Sequence, residues 1–247
     1  MSLILSSGFT LGPGFTADAG FTPAIVPTIV QSGLRLQLDA GNIDSYSGVG
    51  DTWTDTVSNI PFTLYGSPSP AYSSDNGGYF TFIPGNGHYA QSSTGPGLLS
   101  TWTVEVWHYY SGNRSGSNPC LLSERFTAGQ INYVLGSFSS SDLQAGFFNG
   151  GFHATSGYAL TTDQWLHIVG SYDGTDVKLY VNGILVQTSN DPGQTVGASN
   201  GGTNLMRRWD NEDYWGGRLS VFRIYDTALD LAGVTQNFNA DRARFGL

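Results

Sequence analysis

WLHIVGSYDGTDVKLYVNGILVQ, residues 165–187, holds three short apolar runs separated by Asp173-Gly174 and Asn182-Gly183. Trp165 to Tyr172, Val177 to Val181 and Ile184 to Gln187 read as consecutive strands, because Asp-Gly and Asn-Gly favour the primed turns whose twist matches antiparallel neighbours. Short alternating runs continue on both sides of this meander. Leu34, Leu36 and Leu38 alternate with Arg35, Gln37 and Asp39. Further strands are expected near 62–65, 79–83, 88–91, 102–109, 120–124, 131–138 and 143–148, with a last one from Leu219 to Tyr225. One short helix should follow, since Asp230 is placed to cap it and Leu231, Val234 and Phe238 fall at i, i+3 and i+7. Many short strands with frequent turns indicate an all-β sandwich or jelly roll.

Composition agrees. A chain of 247 residues is ordinary for one sandwich, and 39% hydrophobic residues suffice for a core. With 34 glycines and only 12% charged residues, the chain suits strands joined by tight turns and does not suit disorder. The net charge of −9, with ten basic residues, excludes nucleic acid as a partner, because phosphate binding needs clustered Lys and Arg. It also disfavours an anionic membrane or acidic polysaccharide unless a cation bridges the contact, so neutral glycans and protein surfaces are the easier partners. No run approaches the roughly 20 apolar residues that span a bilayer. Cys120 is single and cannot form an internal disulfide; between Pro119 and Leu121 it reads as a buried small hydrophobe. No signal peptide is expected, because the start lacks a positive segment and Leu3-Ile4-Leu5 is too short an apolar run.

Residues 1–32 differ from the rest: they contain no Lys, Arg, Glu, His, Trp or Tyr. Gly-Phe-Thr recurs at 8–10, 14–16 and 20–22, which places Phe9, Phe15 and Phe21 on one face of an extended chain. Three aligned rings need a surface to cover them. The organisation expected is an extended docking arm over 1–32 and a sandwich over 33–247, the arm meeting a partner or sister subunits in a homo-oligomer. A flexible leader is the other reading.

The stretch 165–183 resembles the central hairpin pair of the laminin-G-like group in the concanavalin A-like lectin/glucanase fold. TWTVEVW at 101–107 resembles an earlier core strand of that group, and GRLSVFRIY at 217–225, followed by DTAL, its closing strand and turn. LQLDAGN at 36–42, with WTD at 53–55, is similar to the opening of the domain in tailed-bacteriophage structural proteins. The resemblance implies a concanavalin A-like jelly-roll β-sandwich with an extended N-terminal arm and one short C-terminal helix. The arm is also similar to leaders on some phage virion proteins. That implies a capsid decoration or tail-fibre component, located in the virion and bound to other virion proteins, since lysis releases virions without a signal peptide.

A fold does not settle function, so the chemistry is weighed separately. Glycoside hydrolases of this fold carry paired carboxylates close enough to act as nucleophile and acid. Glu105 stands alone in its strand, with Trp107 on its face and Val104 and Val106 on the other, and reads as a carboxylate hydrogen-bonded within the sandwich or facing solvent. His88, His108, His153 and His167 fall one per segment, without metal-ligand spacing. No catalytic residue is assigned, and the chain reads as a binding or structural module and not an enzyme. No cofactor is expected apart from calcium, which some laminin-G-like domains bind at a sandwich edge; the oxygen-rich loops Asp39 to Asp44 and Asp210 to Asp213 are the places for it, although turns with exposed acids explain them equally.

RRWDNEDYW at 207–215 is the densest polar and aromatic segment. Trp209, Tyr214 and Trp215 are candidates to stack on sugar faces, with Asp210, Asn211 and Asp213 bonding to hydroxyls. The same composition suits a protein interface. Alternatively, Trp215 packs under the sandwich and the charges pair locally. The favoured reading is a phage virion protein displaying a lectin-like sandwich on its arm for adhesion. An independent carbohydrate-binding module is the alternative, and a glycoside hydrolase a distant third.

Overall fold

The computed structural model describes residues 27–97, 99–124, 130–138, 142–190 and 201–247. Phe9, Phe15 and Phe21 lie outside the described residues. In chain order the first six strands are β1 Leu34–Asp39, β2 Thr52–Thr54, β3 Pro61–Tyr65, β4 Ala71–Ser73, β5 Tyr79–Phe82 and β6 Tyr89–Ser92. The middle of the chain supplies β7 Trp102–Arg114, β8 Cys120–Glu124, β9 Gln130–Gly136, β10 Asp142–Asn149 and β11 Phe152–Ala159. Then come β12 Trp165–Tyr172, β13 Asp176–Val181, β14 Ile184–Asn190, β15 Thr203–Leu205 and β16 Trp215–Tyr225, and the helix α1 Leu231–Asp241.

They form two antiparallel sheets. The first runs β14-β13-β12-β7-β16-β5-β4, with β1 also pairing along β16; the second runs β11-β10-β9-β8-β15-β6-β3-β2. The sandwich and the single C-terminal helix are as the sequence implies. Asp230 caps α1 by accepting from the Gly233 N–H at 2.9 Å. Asn182 and Gly183 take the positive φ of a primed turn (51° and 77°). Asp173-Gly174 differs from expectation: the link is three residues long, because the Asp173 carboxylate accepts from the N–H groups of Thr175 and Asp176 and so delays re-pairing.

Alternation explains the core. Val104 and Val106 on β7, Leu166, Ile168 and Tyr172 on β12, and Phe222 and Ile224 on β16 face the second sheet, whose Leu122, Leu135 and Phe147 meet them. The opposite face of the first sheet is also covered. Trp107 stacks on Phe245 (4.2 Å between ring centroids) and on Phe238 from α1 (5.8 Å). Val169 and Tyr225 pack against Val234 and, from the segment before β1, Val30. That segment is further tied to α1: the Val30 N–H donates to Asn237 Oδ1 at 2.8 Å, and Gln236 donates to the Thr28 carbonyl at 2.7 Å.

Under α1 lies a buried charge network. Glu105 and Arg223 are cross-strand partners on β7 and β16 and are buried, with Arg223 donating to Glu105 at 2.5 Å. Asn237 donates to the other oxygen of Glu105 at 2.5 Å. Arg223 also reaches Gln37 on β1 at 3.2 Å and Asp241 at 2.8 Å. Burial alone would raise the Glu105 pKa, but the charges of Arg223 and His167 and the Asn237 hydrogen bond outweigh it and hold it at about 2. His108 is buried with a fixed tautomer: its Nε2 accepts from Trp215 Nε1 at 3.0 Å, so Nδ1 carries the proton and donates to the Arg218 carbonyl at 2.8 Å. Burial pulls its pKa down to about 3.

Both shifts point the same way. The unfolded chain binds a proton at each site at higher pH than the folded one, from the ordinary 6.5 for His108 and 4.5 for Glu105. Stability should therefore fall as pH drops from about 6.5 toward 3, by up to about 1.4 kcal/mol per pH unit per proton. Denaturant titrations across this range test it: His108→Gln should be less stable at pH 7 yet flatter between pH 6.5 and 4.5. An unchanged slope would remove His108 from the account.

Candidate functional site

Met206 to Trp215 forms a hairpin that carries the chain from one sheet to the other. The Trp215 N–H donates to the Met206 carbonyl at 2.9 Å, and Arg207 bridges to Tyr214. This geometry divides the sequence-predicted cluster. Trp215 is fully buried, packed against Tyr110 and bonded to His108, so it cannot present a face to a ligand. Trp209 is half-buried on the outer face of the second sheet, against Phe138 (6.0 Å), which in turn meets the exposed ring of Phe152 (4.6 Å).

The carboxylates of the hairpin turn inward on one cation. Arg208 donates to both oxygens of Asp210, to Asp213 at 2.7 Å and to Glu212 at 3.1 Å. The Arg208 contact outweighs partial burial and holds the Asp210 carboxyl below its ordinary range. Asp213 also accepts from the Asn118 N–H at 2.9 Å. Asn211 sits at φ 70° at the exposed tip. The charges pair locally, as one of the sequence readings has it. The loop Asp39 to Asp44 behaves alike, since Asp39 is held by Arg244 at 2.8 Å. Among the described residues no three His, Cys, Asp or Glu side chains group as a metal site.

Strand pairing assembles a surface that the sequence reading missed. On the outer side of the second sheet, Thr63, Gln91, Asn204 and Ser123 fall in one cross-strand row over β3, β6, β15 and β8; Asn204 and Ser123 are buried, and the row reaches solvent at Thr63 and Gln91. Gln91 donates to Asn204 at 2.8 Å, and Asn204 donates to the Arg208 carbonyl at 2.9 Å. The row beside it is aromatic. Tyr65 stacks on Tyr89 at 4.6 Å with planes 10° apart, and the Arg207 guanidinium lies 3.4 Å above the Tyr89 ring. Tyr214 closes the row 6.3 Å from Tyr89. Tyr65 is 39% exposed, so its outer ring face is open to solvent. The signal available was parity: Thr63 and Tyr65, and Tyr89 and Gln91, alternate with the apolar Phe62, Leu64 and Ala90.

Glu105 offers no catalytic geometry. It is enclosed by Arg223, Asn237 and His167, the last at 3.3 Å. His88 is likewise occupied, accepting from the Ile83 N–H at 3.1 Å and sharing a hydrogen bond with the Pro68 carbonyl at 2.7 Å. Cys120 is buried between Ile131 and Val134, and burial raises its thiol pKa well above the ordinary value.

A laminin-G family model described as the concanavalin A-like lectin/glucanases superfamily matches residues 84–235. The chain belongs to this superfamily. Its sandwich is similar to domain 4 of AbnA, an extracellular family 43 arabinanase from Geobacillus stearothermophilus solved with arabinotriose, at 18% identity and a TM-score of 0.65, covering 83% of this chain and 98% of that one. It is also similar to botulinum neurotoxin type C, a protein that interacts with two ganglioside molecules (13% identity, TM-score 0.64, 85% of this chain and 51% of that one). A Trypanosoma rangeli sialidase aligns at 16% identity with a TM-score of 0.60, over 90% of this chain and 34% of that one. No curated protein matches. At these identities the likeness is one of fold. Solved structures with a similar sandwich thus include both a binding domain and parts of enzymes. No described helix is long and apolar enough to cross a membrane.

Removing the Glu105 charge leaves the buried Arg223 with Asp241 as its one remaining ion-pair partner among the described residues, and breaking buried pairs costs about 3–5 kcal/mol. Glu105→Gln should therefore lower the unfolding free energy by about 3 kcal/mol, measured by denaturant titration. A variant as stable as the parent would show that the carboxylate is held for another purpose.

Proposed function

We propose that this chain is a non-catalytic glycan-binding module of the lectin-like type, displayed on its N-terminal arm. The observation that carries the proposal is the paired rows on the outer face of the second sheet. One row offers a hydroxyl and an amide at its outer end (Thr63, Gln91), and the other offers aromatic rings (Tyr65, Tyr214) set by Tyr89 between them, with Trp209 beyond. Sugars present hydroxyls at their rims and C–H groups on their faces, so a site of convergent polar groups next to aromatic rings matches both. The AbnA domain with arabinotriose and the ganglioside-interacting toxin support a glycan as the ligand class. Trp209, Asp210, Asn211, Asp213 and Tyr214 border this surface. Of these, Trp209 and Tyr214 are placed to stack, whereas Asp210 and Asp213 act through Arg208 by fixing the hairpin.

In the finer reading, the module is a phage virion protein, a capsid decoration or tail-fibre component. Phe9, Phe15 and Phe21 seat the arm on other virion proteins or on sister copies, and the sandwich faces outward for adhesion. The sequence resemblance of the arm and of residues 36–55 supports this setting. An independent carbohydrate-binding module is the alternative, and it dispenses with the arm.

A glycan array probed with the full chain, followed by titration of the best hit, tests the binding. Tyr65→Ala and Trp209→Ala should each weaken affinity about tenfold, since base-free stacking contacts of this kind contribute on the order of 1 kcal/mol or more. A blank array, or hits indifferent to both substitutions, would contradict the proposal. Truncation tests the arm. Deleting residues 1–26 should abolish assembly with partners and leave the melting temperature unchanged, whereas deleting 1–32 should also cost about 1–2 kcal/mol through loss of the Val30 contacts.

A further inference from the structure

The first sheet carries a second recognition feature, at the far end from α1. Arg218 lies on β16 between Tyr109 of β7 and Tyr79 of β5, which flank that strand on opposite sides. Its guanidinium carbon is 4.6 Å from the Tyr109 ring centre and 4.9 Å from that of Tyr79. Both tyrosines are set by Trp165, whose ring meets each of them edge-on at 5.8 Å. The backbone is held as firmly. Gly217 takes φ +130° in a bulge of β16, where a Cβ would stand 2.1 Å from the Tyr109 carbonyl oxygen, so this position accepts glycine alone. The next carbonyl, that of Arg218, is gripped by the buried His108.

Four devices thus orient one cation that has no carboxylate partner among the described residues, in a chain of net charge −9 whose Arg35, Lys178, Arg208, Arg223 and Arg244 are all ion-paired. Stacking on both faces of a guanidinium leaves its rim of N–H donors free. That rim opens into a cleft of about 290 Å³, whose other polar walls are Thr81, Ser111, Asn113 and Asp163.

We propose that this cleft binds a carboxylate flanked by hydroxyl groups, as in a uronic or other acidic sugar residue of a glycan. A planar carboxylate matches the guanidinium rim with two parallel hydrogen bonds. Asp163, which lines the same cleft and accepts from the Tyr109 hydroxyl at 3.5 Å, can also accept from a ligand hydroxyl beside the carboxylate. A doubly charged phosphate monoester would be repelled by Asp163 more strongly than a carboxylate. The volume is at the small end of ligand pockets, suited to one sugar ring. The site is on the opposite sheet from the Tyr65 and Trp209 surface and stands or falls independently of it.

Calorimetric titration of the full chain with trigalacturonate and with galactotriose tests the assignment. Trigalacturonate should bind at least tenfold more tightly than the neutral trimer, and free glucuronate should compete with it. Arg218→Gln should lose at least tenfold in affinity for trigalacturonate. Arg218→Lys, which keeps the charge but not the paired donors, should lose nearly as much, and it serves if the glutamine variant fails to fold. Trp209→Ala should leave trigalacturonate binding intact. Equal binding of the two trimers, competition by acetate as effective as that by glucuronate, or undiminished binding in a folded Arg218 variant would each overturn the proposal.

Discussion

A full ion pair buried between a sheet and a helix is costly to build, because each charge gives up its hydration. Glu105 and Arg223 tolerate that cost because the surroundings complete their coordination. Arg223 meets Glu105, Gln37 and Asp241, and Glu105 meets Arg223 and Asn237. These partners come from β1, β7, β16 and α1, so the pair fixes how the helix sits on the sheet. Asn237 extends the chain of contacts outward, since its carbonyl oxygen receives the Val30 N–H from the segment before β1. The placement of Val30 on the sandwich is thus keyed to a buried carboxylate.

The same constraint shapes function by removing options. The carboxylate best placed on a central strand is occupied structurally, and α1 with the C-terminal turn covers the middle of the first sheet. Among the described residues, the β3–β6 side of the second sheet and the far end of the first keep side chains at the surface. One presents aromatic rings beside neutral polar groups; the other presents an oriented cation. Both are strand-borne surfaces, which suits recognition. The two surfaces would let one module engage a glycan chain of mixed charge, with neutral and acidic residues read on different sheets.

The fold was legible in the sequence to the extent that strands are two-faced or turns are chemically marked. The meander at 165–187, the strand after residue 102 and the cap at Asp230 all appear as read. β2, β4, β11 and β15 were missed for physical reasons. β2, β4 and β15 are three residues long, too short for a period to show, and β11 (FHATSGYA) is a largely exposed or half-buried edge strand, so alternation is not enforced. The site was less legible because it depends on which strands become neighbours. The segment 207–215 attracted notice by composition, yet pairing sends Trp215 into the core and turns the acids onto Arg208. Tyr65, Tyr89 and Arg218 look unremarkable in isolation and acquire meaning through cross-strand partners more than 20 residues away. Arg223 and Asn237, which explain Glu105, are separated from it by more than 110 residues in the chain.

The claim on which the rest stands is that Glu105 and Arg223 act as one structural unit. A double-mutant cycle measures it directly: unfolding free energies of the parent, Glu105→Gln, Arg223→Met and the double variant. The account predicts a coupling of at least about 2 kcal/mol, with the double variant no less stable than the worse single one, because either single change already breaks the pair. Additive effects, with the double variant losing the sum of the two singles, would contradict it.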